Sequence, residues 1–461
     1  MKNFSKLLVA GALSVSMLSS CHIYKKFEMP QEDPVTAEYA RVAAETPDST
    51  AYGNLQWQQV FTDPLLQDFI SRALANNVNL ENARLNIDIA RANLLGAKLS
   101  YLPSVALNPN GAGAKYNLPG SSMTWTYTIP MAASWEIDVF GKILNNKRAA
   151  EVNVELQSDY AQAVRSQIIG GVASCYYSIA IIESQLDLSR QTSEIWAKSV
   201  QTMRDFKEAG RVTEAAVVQS EAQYYSILAS ITDLETALRQ ANNSMSLLLN
   251  EQPQVYAIPA GARLDVPAIL RDGIALREIA QRPDVRRAEK SLAAAYYNTN
   301  LARAAFYPGL TISAQGGFTN LLGSFIKNPG DWFIQLAGQL TAPLFARGQN
   351  IARLKGAKVQ QEQSLNNFKY TLLNAAAEID NALVSLANNS TKAEMLAKQE
   401  ESLQKAVEYT NLLMAHDQNT TYLEVLNAQS SLLQAQMGRL STELNRETDL
   451  ITLYQALGGG R

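Results

Sequence analysis

An internal repeat limits how this chain can fold more than any other feature does. An alignment at an offset of 205 residues pairs FISRALANNVNLENA with IALREIAQRPDVRRA, and it pairs Pro103 with Pro308. Because one offset holds over the whole block, we predict two copies of one structural unit, with bounds 63–250 and 271–457. A Pro-containing linker, 251–270, is predicted to join them.

Each copy is predicted to change from helix to strand at an aromatic-Pro step. Pro103 and Pro308 remove a backbone donor and disfavour helical conformation in the residue before them. In TWTYTIPMAASWEIDVF, which starts at Thr124, apolar and polar residues then alternate with a period of two, and the second copy repeats the pattern. We therefore predict β-hairpins at about 104–138 and 309–343.

The length and ends of the hairpins favour a membrane location. About 10 residues already cross a bilayer as a tilted strand, and Trp and Tyr at both ends fit interfacial girdles. Four strands cannot close a barrel, and an open edge in lipid leaves backbone groups unpaired, so the sheet is predicted to be shared between chains. Pro103 and Pro308 would then mark entry into the membrane. Alternation alone also allows a half-buried sheet in a soluble α+β domain.

A long stretch without proline follows each hairpin, near 142–208 and 349–415. In the second stretch apolar residues repeat every seven residues from Leu365 onward, which indicates heptad packing. About 67 residues would form a helix on the order of 100 Å long. Each helix is predicted to reverse at a short tip, 210–213 in the first copy and 418–421 in the second.

The N-terminus has the pattern of an exported lipoprotein. Residues 1–20 combine early lysines with an apolar run that is too short to span a bilayer, which predicts a secretory signal. The sequence LSSC, ending at Cys21, resembles a bacterial lipobox, whose cysteine is acylated; the alternative is an unmodified cysteine. Residues 21–62 show no periodicity and are predicted to form a lipidated, extended arm along the surface of the body.

Composition argues against several classes of function. The net charge is −3, so no global positive field exists to hold a nucleic acid backbone. His22 and His416 are the only histidines, and the chain shows no triad, no metal-ligand spacing and no phosphate-binding glycine loop. We expect a protein that is not an enzyme and that uses no cofactor or metal.

Five motifs occur in a fixed order along the chain: WEIDVFGK (135–142), QRPDVRRAE (281–289), ARAAFYPGLTIS (302–313), APLFARGQ (342–349) and YLEVLNAQSSL (422–432). Together they resemble the TolC-like outer-membrane efflux proteins, in particular the lipoprotein branch of the NodT or OprM type. The resemblance implies a mainly α homotrimer in which each chain gives four strands to a shared 12-stranded β-barrel. It also implies a long coiled-coil α-helical barrel and an equatorial belt of shorter helices.

The same resemblance implies the function. These proteins are passive outer-membrane channels that conduct small molecules such as drugs, and a periplasmic adaptor connects them to an inner-membrane pump, here by analogy of the resistance-nodulation-division type. It implies a lipid-anchored protein of the cell outer membrane that extends into the periplasm. The alternative is a non-channel, envelope-spanning coiled-coil lipoprotein with a structural or binding role.

The resemblance also assigns residues to the tips and to a gate. The positions that match the family's adaptor-contacting tips are Gly210, Arg211, Val212, Thr213, Gln418, Asn419, Thr420 and Thr421. The family usually has Gly where this chain has Gln418, so the second tip is expected to dock differently. Acids that narrow the periplasmic end in the family match Glu424 and Asn427, of which only the first is charged. The alternatives are two solvated turns, and a Glu424 that points into the periplasm.

Overall fold

The computed structural model describes residues 23–31, 33–43, 55–115, 117, 119–264, 276–319, 331–343, 345–416 and 422–460. The helices are α1 Pro34–Ala43, α2 Trp57–Val60, α3 Pro64–Asn76, α4 Val78–Leu99, α5 Lys142–Glu208, α6 Glu214–Leu249, α7 Leu276–Ala280, α8 Pro283–Ala304, α9 Gln349–His416 and α10 Tyr422–Ala456. The strands are β1 Ser104–Leu107, β2 Asn110–Ala114, β3 Thr124–Ile137, β4 Gly309–Thr319 and β5 Asp331–Thr341.

The chain divides into two compact units, each made of three segments. Unit 1 contains the sheet and comprises Met1–Ala37, Leu85–Asp159 and Arg286–Tyr370. Unit 2 comprises Glu38–Arg84, Tyr160–Val285 and Thr371–Arg461. Each unit therefore takes segments from both sequence repeats.

The sheet of unit 1 is antiparallel throughout. Its strands are ordered β1-β3-β4-β5, and β2 continues the edge of β1 along β3. The first repeat supplies β1 to β3 and the second supplies β4 and β5, so the pairing of β3 with β4 joins the two repeats. The segments after each aromatic-Pro step form strands because their apolar and polar residues alternate, which gives each strand one apolar face.

One cross-strand pair in the sheet depends on a glycine. Pro130 lies in β3 opposite Gly317 of β4. A Cβ atom on Gly317 would lie 2.0 Å from the carbonyl oxygen of Ile129 and 2.8 Å from Cα of Pro130. Real Cβ atoms do not approach backbone this closely, so only glycine fits opposite this proline.

The start of α5 is fixed by a carboxylate that follows β3. Asp138 accepts hydrogen bonds from the backbone N–H groups of Ile143 (3.1 Å) and Leu144 (2.7 Å). Gly141 makes the turn with φ +66°, a conformation that costs other residues energy. Two of the otherwise unpaired N–H groups at the helix start are thereby satisfied. The WEIDVFGK motif thus encodes the change from strand to helix.

The long helices run without interruption. α5 has 67 residues and α9 has 68. Six of the predicted heptad residues of α9 are buried, namely Phe368, Leu372, Ala375, Ile379, Ala382 and Leu386. Leu365 and the heptad residues after Leu386 are half-buried. Within the part of the chain that the structure describes, no helical stretch has both the length and the hydropathy of a membrane-spanning helix.

Aromatic side chains form the centre of unit 2. Phe69 contacts Tyr256 edge-on at 5.5 Å between ring centroids and lies 6.2 Å from Tyr176. The Tyr176 hydroxyl donates to Asp63 at 2.5 Å, and the same carboxylate caps α3 through the Leu65 N–H at 2.8 Å. Burial, together with the Asp63 carboxylate, raises the pKa of Tyr176. Asp63 therefore fixes both a helix start and a buried hydroxyl.

The lack of periodicity predicted an extended N-terminal arm, but part of the arm is helical. Residues 34–43 form α1, which Asp33 begins by accepting the Val35 N–H at 2.9 Å. Tyr39 and Val42, three residues apart on α1, are both buried. A helix of ten residues is too short for its apolar spacing to stand out in the sequence. Cys21 and the signal residues lie outside the described residues.

Candidate functional site

The first predicted tip is a tight helix reversal built on Gly210. α5 ends at Glu208, and Gly210 has φ +70°. The Gly210 N–H donates to the Lys207 carbonyl at 2.9 Å, and the Arg211 N–H donates to the Phe206 carbonyl at 2.8 Å. This pair of bonds is a Schellman motif, which satisfies carbonyl groups at the end of a helix and needs a left-handed residue. The space around a Gly210 Cβ is open.

The return from this tip is held by backbone and exposed charges. Thr213 is extended (φ −85°, ψ 160°), and its carbonyl accepts the Ala216 N–H at 3.1 Å as α6 begins. Across the reversal, Arg204 pairs with Glu221 at 2.6 Å, and Arg211 lies over a neighbouring phenyl ring. Such exposed pairs stabilise little. Gly210, Arg211 and Thr213 are exposed and Val212 is half-buried, so the tip presents a compact, mainly polar surface.

The second tip, residues 418–421, lies outside the described residues. α9 ends at His416 and α10 begins at Tyr422. Glu424 lies in the first turn of α10, where a carboxylate is favoured by the helix dipole. Glu424 and Asn427 are both exposed, and they lie three residues apart on the same side of α10.

An apolar cluster packs the helices behind the tips. Trp196 of α5, Ile227 of α6 and Leu426 of α10 are buried together, with three partly buried neighbours, Tyr224, Ile231 and Leu433. The Trp196 indole N–H and the side-chain amide oxygen of Gln429 are buried without a hydrogen-bond partner among the described residues. This cluster, which packs α10 against α5 and α6, was not predicted from the sequence.

One face of the sheet is apolar and uncovered. Its exposed large side chains are Val105, Leu107, Trp125, Ile129, Met131, Trp135, Ile312, Phe318, Trp332, Ile334, Leu336 and Leu340. The opposite face is polar, and there Gln315 donates to Gln335 at 2.6 Å across the strands. A contiguous apolar surface of this extent indicates contact with a membrane or another protein.

Pro103 and Pro308 each lie directly before a strand. α4 ends at Leu99 and a tight turn follows, in which the Leu102 N–H donates to the Leu99 carbonyl at 2.9 Å. The second copy has the same arrangement, with the Tyr307 N–H donating to the Ala304 carbonyl at 3.1 Å. The Trp135 indole N–H also donates to the Tyr101 carbonyl at 2.9 Å. The two helix ends therefore meet the sheet with equivalent local geometry.

The ends of the two repeats differ in their aromatic contacts. Phe140 stacks on Tyr307 at 4.9 Å, and this contact joins the first repeat to the second. At the offset of 205 the corresponding residues are Phe345 and Leu102, which are 86% and 61% exposed. Phe140 and Tyr307 thus contact each other within the chain, whereas their counterparts Phe345 and Leu102 both remain exposed.

The arm that follows Cys21 is seated beside the base of the sheet. Ile23 is buried, and the Asn145 side-chain amide donates to its carbonyl at 3.0 Å. Arg148 donates to the Tyr24 carbonyl at 2.9 Å, and the Tyr24 hydroxyl donates to the Val139 carbonyl at 2.5 Å. The arm close to the predicted acylation site is therefore held at the strand-to-helix turn.

The QRPD motif places a buried arginine between two partly exposed carboxylates in unit 2. Arg282 donates to Asp284 at 2.8 Å, to Glu378 at 2.5 Å and to the carbonyl of Ala456 at 2.7 Å. Burial would lower the pKa of Arg282, but the two carboxylates raise it. The cluster lines a cavity of about 520 Å³ and ties α8 to α9 and to the end of α10.

A second ionic cluster ties the linker between the repeats to α10. Arg263 pairs with Glu443 at 3.1 Å, and Arg439 pairs with Glu443 and Glu400, both at 2.6 Å. One turn further along α10, Glu447 is 1% exposed and accepts the backbone N–H of the residue after Arg263 at 3.0 Å. Apart from Arg439 with Glu443, which are four residues apart on α10, these pairings join residues far apart in sequence, and no local motif indicates them.

Burial of Glu447 disfavours its ionised form. Desolvation raises the pKa of its carboxyl group, and Arg446, at 3.2 Å, opposes the rise. The Arg446 Nε–H itself is buried without a hydrogen-bond partner among the described residues. Among those residues, no three His, Cys, Asp or Glu side chains come close enough to hold a metal ion.

The fold and these surfaces define a class of membrane channel, and sequence comparison identifies the family. The model of the outer membrane efflux protein family matches residues 69–251 and 276–459, one match for each repeat. The chain belongs to this family. The predicted resemblance to TolC-like efflux proteins is confirmed, and the protein is an outer membrane efflux protein.

Three relatives illustrate the similarity. The probable outer membrane lipoprotein SilC of Salmonella typhimurium is 29% identical, with 99% of each chain covered. The cation efflux system protein CusC of Escherichia coli is 29% identical over 89% of this chain and 90% of its own. The toluene efflux pump outer membrane protein TtgC of Pseudomonas putida is 28% identical over 99% of this chain and 96% of its own.

A solved structure supports the fold directly. A crystal structure of CusC superposes with a TM-score of 0.81 at 25% identity, covering 95% of this chain and 98% of that one. The predicted fold class, mainly α with antiparallel strands in two tandem repeats, is therefore confirmed.

Proposed function

We propose that this protein is the outer-membrane conduit of a tripartite export system and conducts small molecules passively. The observation that carries the proposal is a sheet with one uncovered apolar face and one polar face, continued by two uninterrupted helices of 67 and 68 residues. A lipoprotein that only spaced the envelope would need the helices but not this sheet. The polar face would then line the path that solutes take.

The test of conduction is electrical. The protein should be extracted by detergent as a heat-resistant oligomer. After purification and reconstitution in a planar bilayer, it should give discrete conductance steps. An oligomer that inserts without any conductance would contradict the proposal and favour the structural alternative. CusC is named for cations and TtgC for toluene, at nearly the same identity to this chain. The chemical class of the cargo therefore has to be measured with the pump present.

We infer that three chains close one sheet of twelve strands. The edges at β1 and β5 carry unpaired backbone groups, which a membrane does not tolerate. Repeating the β3–β4 pairing between chains would bring β5 of one chain against β1 of the next, and Phe345 against Leu102. In the β3–β4 register Glu136 is opposite Thr311, so at the offset of 205 Thr341 should lie opposite Ala106 of the neighbour.

Disulfide cross-linking tests that register. Thr341→Cys combined with Ala106→Cys, in a Cys175→Ser background, should give covalent dimers and trimers on oxidation. Thr341→Cys with Ala112→Cys, six residues further along the same edge, is the matched control and should remain monomeric in denaturant. Equal cross-linking of both pairs, or of neither, would reject this closure.

The first tip is proposed to dock a periplasmic adaptor that connects the protein to an inner-membrane pump. Gly210 and Arg211 project at the reversal, where a partner has access to backbone and a guanidinium group. A photo-cross-linking residue at Val212 should capture the adaptor in cells. The same residue at Gln361, on α9 far from the tip in sequence, should not. Capture at both positions would mean that contact is not confined to the tip.

The second tip and the gate remain proposals of the same kind. Gln418 to Thr421 are proposed to contact the adaptor in a different way from Gly210, because glycine is missing there. Three copies of Glu424 near a symmetry axis would attract cations. Glu424→Lys should then alter cation preference and weaken block by divalent ions, with Asn427→Lys as a comparison one turn away. Unchanged selectivity and block would place Glu424 outside the conducting path.

Lipid attachment at Cys21 is proposed from the LSSC sequence and the seating of Ile23. Metabolic fatty-acid labelling should mark the protein, and Cys21→Ala should remove the label. The absence of label on the unmutated protein would reject the lipobox. The protein is proposed to act without catalysis and without a cofactor, so conductance should not require added nucleotide or metal.

A further inference from the structure

Positive charge is concentrated where the helices meet the sheet. We call this region the basal band and define it by five segments: 23–28, 96–103, 138–150, 300–308 and 342–358. These segments contain eleven Lys and Arg residues and two acids, Glu28 and Asp138, although the whole chain has a net charge of −3. The band therefore departs strongly from the charge of the rest of the chain.

The helix dipoles favour only two of these cations, Lys98 and Arg303, which lie in the last turns of α4 and α8. α5 and α9 both begin inside the band, and neither has an acid in its first turn, although Asp138 caps α5 from the preceding loop. A helix N-terminus carries partial positive charge, so cations beside it are not stabilised by the dipole. An external anion near the starts of α5 and α9 would lower the electrostatic energy there.

Pairing within the chain neutralises only part of the band. Lys142 pairs with Glu136 at 2.8 Å, and Lys147 pairs with Glu151 at 3.5 Å. Arg303 donates to the side-chain oxygen of Asn300, which is uncharged. Among the described residues, the exposed amino groups of Lys25, Lys26 and Lys358 have no carboxylate partner within ion-pair distance.

The unpaired cations lie on the side of unit 1 that the arm covers. The Phe27 N–H donates to the Tyr297 hydroxyl at 3.1 Å, which fixes the arm against α8. Beside it is a cavity of about 380 Å³, whose lining includes two cations, Arg303 and Lys358, and two acids, Glu28 and Glu362. The arm starts at the predicted acylation site, so acylation of Cys21 would turn this side of unit 1 toward lipid.

The depth of the band matches the headgroup layer. Arg303 precedes the first residue of β4 by six residues, or about 9 Å at the rise of a helix. Arg148, which holds the arm, follows the start of α5 by six residues. The headgroup layer on each side of a bilayer is about 5–8 Å thick beyond the hydrocarbon core. The band would therefore lie at or just below the phosphates if the sheet fills the hydrocarbon core.

We propose that the basal band binds anionic phospholipid headgroups of the leaflet that faces the helices. The inference rests on the proposed function, because it needs the sheet to span the membrane. Lys25 and Lys26 lie four and five residues after Cys21, so the acyl anchor and the basic segment would act together. One lipid chain alone binds weakly, and a basic cluster beside it strengthens attachment. The band thereby selects anionic lipid next to the protein.

Spin-labelled lipids test the proposal in vesicles that contain the full-length, acylated protein. The probes are phosphatidylglycerol and phosphatidylcholine carrying the same label, and the measured quantity is their relative association with the protein. We expect the unmutated protein to prefer phosphatidylglycerol and to lose the preference at high salt. Each cation near an anionic surface contributes up to roughly a fivefold preference, so Lys25→Gln, Lys26→Gln and Lys358→Gln together should lower it by up to about 100-fold.

A matched variant controls for net charge. Lys198→Gln, Lys392→Gln and Lys398→Gln remove the same charge from exposed positions on the long helices, and they should leave the preference unchanged. Equal loss in both variants, or no preference in the unmutated protein, would overturn the proposal. Inorganic phosphate at constant ionic strength should not displace the lipid; displacement would show that the band binds phosphate in general.

Conductance in the same vesicles separates this proposal from the proposed function. If conductance is present and lipid preference is absent, only the lipid site is rejected. If both are absent although the protein has inserted, the conduit itself is rejected.

Discussion

Gly210 offers the sharpest test of how the first tip is built. Its φ of +70° is the left-handed conformation, and no atom lies within 4 Å of the place where a Cβ would stand. A substitution to alanine therefore meets no steric clash and costs only backbone strain, about 1–2 kcal/mol. That cost corresponds to roughly a 5- to 30-fold increase in local opening. Asparagine tolerates this conformation better, so Gly210→Asn should cost less.

Hydrogen exchange at the tip measures this cost directly. The amides of Gly210 and Arg211 are the donors of the two capping bonds, so their protection should fall in the order unmutated, Asn, Ala. Gly356 is the control, since it lies inside α9 with open space around it. Gly356→Ala should leave the tip amides unchanged and stabilise α9 by up to about 1 kcal/mol. Equal protection in the Ala and Asn variants would refute the assignment of strain to Gly210.

Export assays with the same series separate capping from docking. Gly210→Ala and Gly210→Trp share the backbone strain and differ in bulk. If the tip docks an adaptor closely, the Trp variant should lose export while the trimer remains intact, and the Ala variant should keep most of it. Normal export by the Trp variant would argue against docking at Gly210.

Substitutions at four further residues test the interior. The raised pKa of Glu447 means that its ionised form destabilises the folded state. Stability should therefore fall as pH rises between the unfolded pKa of Glu447 and its higher folded pKa, and Glu447→Gln should flatten this part of the pH profile in thermal melts. Trp196→Ala should lower the free energy of unfolding by about 3–5 kcal/mol. Trp196→Phe should cost far less, because the indole N–H that it removes makes no hydrogen bond among the described residues. Asp63→Ala should destabilise by about 2 kcal/mol or more, through loss of the α3 cap and of the Tyr176 partner, whereas Tyr176→Phe alone should cost less; helical circular dichroism on heating checks both.

Much of the fold follows from local patterns in the sequence. Alternation predicted the hairpins because each strand has one apolar face, and the observed strands lie between Ser104 and Ile137 and between Gly309 and Thr341. The absence of proline and the heptads from Leu365 onward predicted the long helices. Gly210 pointed to the first reversal because a left-handed cap needs glycine. These features depend only on neighbouring residues.

Other features depend on contacts that no local pattern encodes. The pairing of Arg263 with Glu443 links positions 180 residues apart, and the burial of Ile23 beside Asn145 links positions 122 apart. Each of these side chains would look ordinary in the sequence. The roles proposed for Glu424 and for the second tip involve neighbouring chains, and a single sequence does not encode which side of a helix faces another chain.

The pairing of Pro130 with Gly317 has a consequence for how strands find their partners. A slip of β4 by two residues keeps every apolar side chain on the same face, so hydrophobicity alone would not reject it. Such a slip would place Gln315 or Thr319 opposite Pro130, where even a Cβ atom has no room. The slipped register would therefore carry a steric clash that the observed register avoids. The pairing of one proline with one glycine thus distinguishes two alignments that present the same apolar face to the membrane.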